Sequence, residues 1–321
     1  MRVLVCGATG FLGREAVRAF SRAGHEVRGL VRRADREALV LQDGGQPVPG
    51  SLLDPPSLER ALEGCDLAVH LAIDPADPQS LADHLRVYAS RVEGARHLSC
   101  AARHSRVRRV LVGSGYWVYG STTQVLDEET PVAPMGFPAL NYETEEVSRE
   151  AMRRGDHETV IVRPGMVYGH GSWFAGMVQE VRESRYRYVS PGAQKWSFVS
   201  LRDFGSALVA VAERAENGET YVVADDEPLE IAEATRHLAH LLRVPPPTGI
   251  SFREASALWG EMAAYHLSAH RAASNRKLRR VGWVPRDPNF REGVRAVLQE
   301  MGMGPDLPGS PGVPLPRGPG R

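Results

Sequence analysis

The chain has 321 residues, and its 39 lysines and arginines balance 39 aspartates and glutamates. This length can bury a large core, while the balanced charge favours neither nucleic acid nor an anionic membrane as a partner. No apolar run approaches the roughly 20 residues that span a bilayer, and three scattered cysteines indicate reduced thiols, so we expect a globular, cytoplasmic protein.

The first half of the chain alternates short β-branched runs with helical patterns. Strands are predicted at residues 3–6, 27–31, 67–71, 110–112 and 159–162. Apolar residues at helical spacing lie between them, and Gly24 ends the first helix. This alternation predicts an α/β fold with a doubly wound parallel sheet, a Rossmann fold.

The second half predicts a division into domains. A dinucleotide-binding domain is predicted for residues 1–165, with residues 197–227 returning to it through a strand–helix–strand pattern. A smaller, mainly helical substrate lobe is predicted for residues 166–196 and 228–302. The Pro/Gly-rich segment 303–321 cannot bury enough apolar surface to offset its ordering entropy, so it is expected to be a disordered tail.

The segment VLVCGATGFLGREA, residues 3–16, places three glycines between a predicted strand and a predicted helix. Gly7 permits a tight turn, Gly10 lets the backbone approach a pyrophosphate, and Gly13 lets the helix pack on the strand. The helix N-terminus then offers unpaired N–H groups to the phosphates. This pattern predicts a dinucleotide site, with a purely structural turn as the alternative.

The end of the second strand indicates which dinucleotide binds. Val31 occupies the position where an acidic residue would bind the ribose 2′-hydroxyl of NAD, and Arg32 and Arg33 follow it. Arginine binds a 2′-phosphate through two hydrogen bonds and stacks on adenine. NADP(H) is therefore favoured over NAD(H), with a solvated basic turn as the alternative.

Further motifs follow in order: HLAI (residues 70–73), SGYWVYG (114–120), RPGMVYG (163–169), FVSLRDFG (198–205) and VGWVP (281–285). Together with the glycine motif, they resemble those of extended short-chain dehydrogenases/reductases of the NAD-dependent epimerase/dehydratase type, over nearly all of residues 1–300. The resemblance implies the Rossmann fold and a nicotinamide cofactor. Besides the two arginines, the cofactor contacts are assigned to Gly7, Thr9, Gly10, Phe11, Leu12, Gly13, Leu71, Ala72, Tyr142, Glu146 and Arg163.

The catalytic Ser–Tyr–Lys set that the resemblance implies is incomplete. Gly115 occupies the serine position, Arg91 replaces an asparagine of the preceding helix, and Glu146 replaces the lysine, so that only Tyr142 remains. Tyr142 and Glu146 are one helical turn apart and share a face. An ionised Glu146 disfavours phenolate, unless Arg149 neutralises it, and Tyr142 is therefore predicted to be a neutral proton donor.

A neutral donor suits reduction of a ketone, whereas oxidation of an alcohol needs a base. Tyr116 and His170 are alternative donors. Ordinary surface roles for Tyr142 and Glu146, without catalysis, are the alternative interpretation. A substrate pocket for an aromatic or polycyclic ketone is predicted from Gly115, Tyr116, Trp117, Tyr168, Trp173 and Trp196, with packing inside the lobe as the alternative.

The sequence thus predicts an oxidoreductase, an NADPH-dependent ketoreductase whose partner is a small-molecule ketone. The spacing of His, Cys, Asp and Glu predicts no metal site. Two alternatives stay open: an NADP(H)-binding sensor or scaffold without turnover, and a nucleotide-sugar epimerase or dehydratase. A homodimer also stays open.

Overall fold

The computed structural model describes residues 1–73 and 81–303. Seven strands form its central sheet: β1 (Arg2–Cys6), β2 (Glu26–Val31), β3 (Gln46–Pro49), β4 (Leu67–His70), β5 (Arg109–Gly113), β6 (Glu158–Pro164) and β11 (Thr220–Val223). They are parallel throughout, in the order β11-β6-β5-β4-β1-β2-β3. The predicted doubly wound α/β fold is confirmed. The predicted tail lies outside the described residues from residue 304 onward.

The strands of this sheet are apolar because helices cover both of its faces. Every residue of β4 is buried, as is usual for a strand inside a parallel sheet. The five strands predicted from the first half of the chain are all present. The sequence analysis missed β3, whose Pro47 and Pro49 argue against a strand but are tolerated here because β3 lies at the sheet edge.

The helices are α1 (Phe11–Arg22), α2 (Glu37–Gln42), α3 (Pro55–Leu62), α4 (Leu81–His104), α5 (Phe137–Arg153), α6 (Trp173–Arg182), α7 (Leu201–Arg214), α8 (Ile231–Leu242), α9 (Phe252–Trp259), α10 (Glu261–Ser268), α11 (Arg276–Arg280) and α12 (Phe290–Glu300). Side chains of β1 alternate between the two faces. Val3 and Val5 pack with α1 and α7, whereas Leu4 and Cys6 pack with α3 and α4. Gly24, with φ +81°, follows the end of α1 as predicted.

A smaller lobe packs beside the carboxyl end of the sheet. Its short strands are β7 (Met166–Tyr168), β8 (Arg187–Val189), β9 (Lys195–Trp196), β10 (Phe198–Ser200), β12 (Leu229–Glu230) and β13 (Thr248–Ile250), which pair as β10-β7, β12-β9 and β13-β8. Tyr168, Phe174, Phe198 and Phe290 are fully buried where these strands meet α6, α8 and α12. We call this cluster of aromatic and aliphatic side chains the lobe core.

Candidate active site

A glycine turn between β1 and α1 forms one wall of a groove. Gly7 has φ +90°, and a Cβ there would lie 2.8 Å from the backbone of Ala72 in the neighbouring loop. A Cβ on Gly13 would overlap the carbonyl oxygen of Gly7. Gly10 caps α1 with no side-chain hydrogen bond, and the first turn of α1 has no acidic residue. Its N–H groups and partial positive charge are therefore available to an anion.

The groove that this turn borders has a volume of about 570 Å³ and lies beyond the carboxyl ends of β1, β2 and β4. Of the predicted cofactor contacts, it is lined by Gly7, Thr9, Gly10, Phe11, Leu12, Gly13, Arg32, Arg33, Leu71 and Ala72. Ser51, Leu52, Leu53 and Ser90 line it too and carried no motif that could have identified them, whereas Ile73 is the last residue of the HLAI motif. A narrow groove beside a glycine cradle fits a dinucleotide, since a side chain on the cradle would fill the space the phosphates need.

Three arginines line the groove after β2. Arg33 donates to Asp35 through Nε and Nη2 (3.0 and 2.8 Å), and this hydrogen bond, with the charge of Arg33, lowers the pKa of Asp35. Arg32 and Arg36 also line the groove. Arg36 was missed by the sequence analysis, although its position four residues after Arg32 is a detectable signal. Among the described residues that line this end of the groove, the three arginines make it basic.

Arg91 lies at the other end of the same groove. It is 5% exposed, and its Nη1 donates to the carbonyl oxygen of Ala72 (3.1 Å) while Nη2 donates to that of Gly113. Its own carbonyl oxygen lies 3.3 Å from Nε2 of His70. Burial, with a smaller contribution from the charge of Arg91, lowers the pKa of His70 to about 3. His70 is therefore neutral and donates its Nε2 proton.

Glu145 shows which face of α5 points toward the sheet. Its carboxylate accepts hydrogen bonds from Arg163 of β6, Nε–Oε1 at 2.9 Å and Nη2–Oε2 at 2.6 Å, and both side chains are buried. The predicted cofactor contact of Arg163 is thus corrected, because this ion pair holds its guanidinium inside the protein, where it also donates to Tyr119 Oη (2.8 Å).

Arg163 is the penultimate residue of β6, so Glu145 lies at the carboxyl end of that strand. Asn141 and Phe137 lie one and two turns nearer the start of α5 on the same face. They therefore project beyond the carboxyl end of the sheet, where open α/β sheets bind their ligands. The amide of Asn141 makes no hydrogen bond to another described residue, although the residue is only 7% exposed.

Tyr142 and Glu146 lie on the next face of α5. Arg149 donates to Glu146 Oε1 (3.0 Å) and also to Thr220 Oγ1 (2.7 Å) in β11, and Arg153 lies 4.0 Å from the same carboxylate. The ring of Tyr142 packs against the lobe core. Glu146 is therefore paired with Arg149, the exception that the sequence analysis allowed for, and neither residue is among those lining the groove beside the glycine turn. Their cofactor contacts and the catalytic role of Tyr142 stay predictions.

The predicted substrate residues separate into two groups. Tyr116, Tyr168 and Trp196 are at most 2% exposed and belong to the lobe core, which corrects their assignment to a pocket surface. Burial raises the pKa of the Tyr116 and Tyr168 hydroxyls. Tyr116 is thus a poor proton donor, out of reach of solvent.

Of the predicted substrate residues, Trp117 and Trp173 are accessible, and so is His170, the predicted alternative proton donor. The indole of Trp173 donates to Val167 O (2.8 Å) and is 40% exposed, and His170 lies on an exposed turn. A Cβ on the adjacent Gly169 would lie 3.5 Å from the ring of Phe11, which places this turn at the mouth of the groove. The roles of Trp173 and His170 stay predictions.

Trp117 is the centre of an aromatic wall that the sequence analysis only partly identified. Its ring lies 6.2 Å from Phe137 and 5.4 Å from His266, with Gly115 at its base and the Arg271 guanidinium 4.5 Å from its centroid. Burial, followed by the charge of Arg271, lowers the pKa of His266 to about 4, so His266 is neutral near pH 7.

Within residues 1–73 and 81–303, no three His, Cys, Asp or Glu side chains converge on a position that could hold a metal ion. None of the helices in those ranges combines the length and apolarity that crossing a membrane requires.

Comparison with known proteins agrees with this geometry. The model of the NAD dependent epimerase/dehydratase family matches residues 3–224. A 3-diazoavenalumate denitrifying reductase of a Streptomyces species is 32% identical over 92% of this chain and 99% of its own length. A 4-hydroxy-2-methyl-3-oxo-4-farnesyl-3,4-dihydroquinoline-1-oxide ketoreductase of Stigmatella aurantiaca is 29% identical over 72% of this chain and 70% of its own. The human epimerase family protein SDR39U1, solved with NADPH, has a similar fold (TM-score 0.78, 21% identity, 93% of this chain and 99% of that one).

Proposed function

This chain belongs to the NAD-dependent epimerase/dehydratase family, and we propose that within it the protein is an NADPH-dependent reductase of aromatic or polycyclic ketones. Family membership, together with the reductase and the ketoreductase among its relatives, supports a nicotinamide-dependent oxidoreductase. Three points of this proposal need separate support: that the cofactor is NADP(H), that it binds in its reduced form, and that the substrate is an aromatic or polycyclic ketone.

The basic end of the groove supports NADP(H). Arg32, Arg33 and Arg36 all line it, and the carboxylate of Asp35 accepts two hydrogen bonds from Arg33. A 2′-phosphate accepts charge-assisted hydrogen bonds from guanidinium groups, whereas an unmodified ribose would need an acidic partner. An Asp35 already bound by Arg33 is a poor partner for that ribose.

The face of α5 that projects beyond the sheet is the observation that supports reduction of a ketone over oxidation of an alcohol. The bound nicotinamide supplies or accepts a hydride at this end of the groove. Phe137 and Asn141 provide no ionisable group there, so α5 offers no base to take a proton from an alcohol. The Asn141 amide can donate a hydrogen bond to a ketone oxygen as negative charge develops on it, and solvent water supplies the proton that completes the alcohol. This arrangement favours reduction.

The aromatic wall supports the substrate class. Trp117 and Phe137 are each partly exposed, and Trp117 contacts the neutral His266. Aromatic walls bind flat apolar groups through large buried areas and offset stacking. The relative from Stigmatella aurantiaca is named for a 3-oxo-dihydroquinoline, which is a ketone of that kind.

Initial rates of NADPH oxidation with a panel of aromatic and polycyclic ketones test the proposal. We expect oxidation of NADPH with at least one aromatic ketone and slower oxidation with aliphatic ketones of similar size. A nucleotide sugar that is converted without net change of the cofactor would instead indicate an epimerase.

Arg32→Ala should weaken NADPH binding by about 10-fold to 100-fold, the equivalent of one charge-assisted hydrogen bond. NADH affinity should change by less than about threefold, because NADH lacks the 2′-phosphate. Titration of cofactor fluorescence measures both constants. Arg60→Ala is the matched control, since it removes an exposed arginine of α3 outside the groove. A wild-type protein that binds NADH as tightly as NADPH would contradict the assignment.

Substitution of two neighbouring residues of α5 tests which side chain donates a proton or a hydrogen bond to the ketone. Tyr142→Phe should keep ketone reduction within about threefold of wild type, because its ring packs in the lobe core. Asn141→Leu, of similar volume, should lower kcat by about 10-fold to 100-fold if its amide orients the ketone. Steady-state rates with saturating NADPH measure both. A loss of about 10²–10⁴-fold in Tyr142→Phe would identify Tyr142 as the general acid that the sequence analysis predicted.

A further inference from the structure

Arg91 is a buried cation in the wall of the cofactor groove, at the position where the resemblance places an asparagine. It lies on α4 and bridges two strand ends through the carbonyl oxygens of Ala72 after β4 and Gly113 at the end of β5. Two opposing carbonyl contacts hold the planar guanidinium in one orientation. The neutral His70, which contacts the backbone of Arg91, adds no second charge.

The order of the sheet places Arg91 opposite the other arginines of the groove. Arg32 follows β2, while Arg91 contacts the ends of β4 and β5, and the sheet runs β5-β4-β1-β2. With strands about 4.8 Å apart, the ends of β5 and β2 are about 14 Å apart. The glycine turn that receives the pyrophosphate lies between them, after β1. An adenosine half bound at Arg32 therefore leaves the nicotinamide half at Arg91.

We propose that Arg91 is the positioning residue for the nicotinamide–ribose half of the cofactor and supplies the positive charge that α5 lacks at this end of the groove. A guanidinium presents several N–H donors in one plane, which suits the hydroxyl groups of a ribose. The role of Arg91 rests on the proposed binding of NADP(H) in this groove, and it concerns the half of the cofactor that Arg32 does not reach.

Calorimetric titration of wild type, Arg91→Gln and Arg91→Lys with three ligands separates the two halves of the cofactor. The ligands are NADPH, NADP⁺ and 2′,5′-ADP, which contains only the adenosine half. We expect Arg91→Gln to weaken NADPH about 10-fold and 2′,5′-ADP less than twofold, while Arg91→Lys keeps NADPH within about threefold. The control is Arg96→Gln, which removes an exposed arginine of α4 that pairs with Glu143.

The charge of the nicotinamide ring gives a second readout that loss of a structural contact would not change. NADP⁺ carries a positive ring and NADPH does not, so a fixed cation nearby disfavours the oxidised form. We expect wild type to bind NADPH more tightly than NADP⁺ by at least about threefold, a ratio that Arg91→Lys keeps and Arg91→Gln reduces toward one.

Equal weakening of NADPH and 2′,5′-ADP, or an unchanged NADPH affinity in Arg91→Gln, would overturn the role of Arg91. If Arg91→Gln does not fold, two other results would overturn the role of Arg91. One is a wild-type ratio of NADPH affinity to NADP⁺ affinity near one, and the other is a ratio in Arg91→Lys that differs from the wild-type ratio. Failure of the proposed function has a different signature, because a wild-type protein that binds none of the three ligands refutes the cofactor site itself.

Discussion

Glu145→Ala should lower the free energy of unfolding by about 3–5 kcal/mol, the usual cost of removing one partner from a buried ion pair. Glu145 is completely buried and accepts two hydrogen bonds from Arg163, whose side chain is 4% exposed. Without the carboxylate, the Arg163 guanidinium would remain inside the protein next to Tyr119 with its charge uncompensated. Urea unfolding followed by circular dichroism measures the loss.

Glu146→Ala is the matched control for this change. It removes the same type of side chain from the adjacent position, and both carboxylates bind Arg149. Glu146 is 40% exposed, so its ion pair should contribute no more than about 1 kcal/mol. Similar losses in the two variants would mean that α5 does not present Glu145 to β6, and the orientation of Phe137 and Asn141 would then be wrong too.

Gly10→Val should weaken NADPH binding by at least about 100-fold, beyond the measurable range, while the protein stays folded. The nearest heavy atom to a Cβ at this position is the Gly7 carbonyl oxygen at 3.3 Å, so the domain can accommodate the change with a small adjustment. The rest of a valine side chain would project into the groove at the start of α1, where a pyrophosphate meets the helix N-terminus.

Binding is measured by titration of NADPH fluorescence, and folding by thermal unfolding of the same sample. Gly176→Val provides the control, because Gly176 is an exposed residue of α6 with no atom within 4 Å of a Cβ. A folded Gly10→Val variant that still binds NADPH would show that the glycine turn has only a structural role.

The fold and the groove beside the glycine turn could be predicted because their signals are local. The glycines at positions 7, 10 and 13 lie in the turn after β1 and the first residues of α1, and steric limits on the backbone make their spacing informative. Arg32 and Arg33 follow a strand directly, so their place beside the groove depends only on the end of β2. The buried parallel strands are likewise visible as apolar runs.

The orientation of α5 could not be predicted, because two pairs of residues have the same spacing. Tyr142–Glu146 and Phe137–Asn141 are both four residues apart, so each forms one face of a helix. The ion pair between Glu145 and Arg163 selects the face, and it joins residues that are 18 positions apart in the chain. Helical spacing alone contains no information about such a contact.

Tyr116, Tyr168 and Trp196 were misassigned for a related reason. A tyrosine or tryptophan in a turn-rich segment suits either a pocket or a core, and only tertiary packing decides which. Tyr168 is in the core because Gly293 of α12 leaves space for its hydroxyl, where a Cβ would overlap the oxygen. Trp117 remains accessible because it lies at the edge of the lobe core, next to the start of α5.

Transfer of deuterium from NADPH labelled at C4 of the nicotinamide tests the proposed reduction most directly. The protein is incubated with the labelled cofactor and an aromatic ketone from the active set, and the alcohol is analysed by mass spectrometry and NMR. We predict one deuterium atom at the carbinol carbon, from one of the two C4-labelled epimers of NADPH only. An alcohol without deuterium from either epimer, or no alcohol at all while bound NADPH stays reduced, would contradict a ketoreductase.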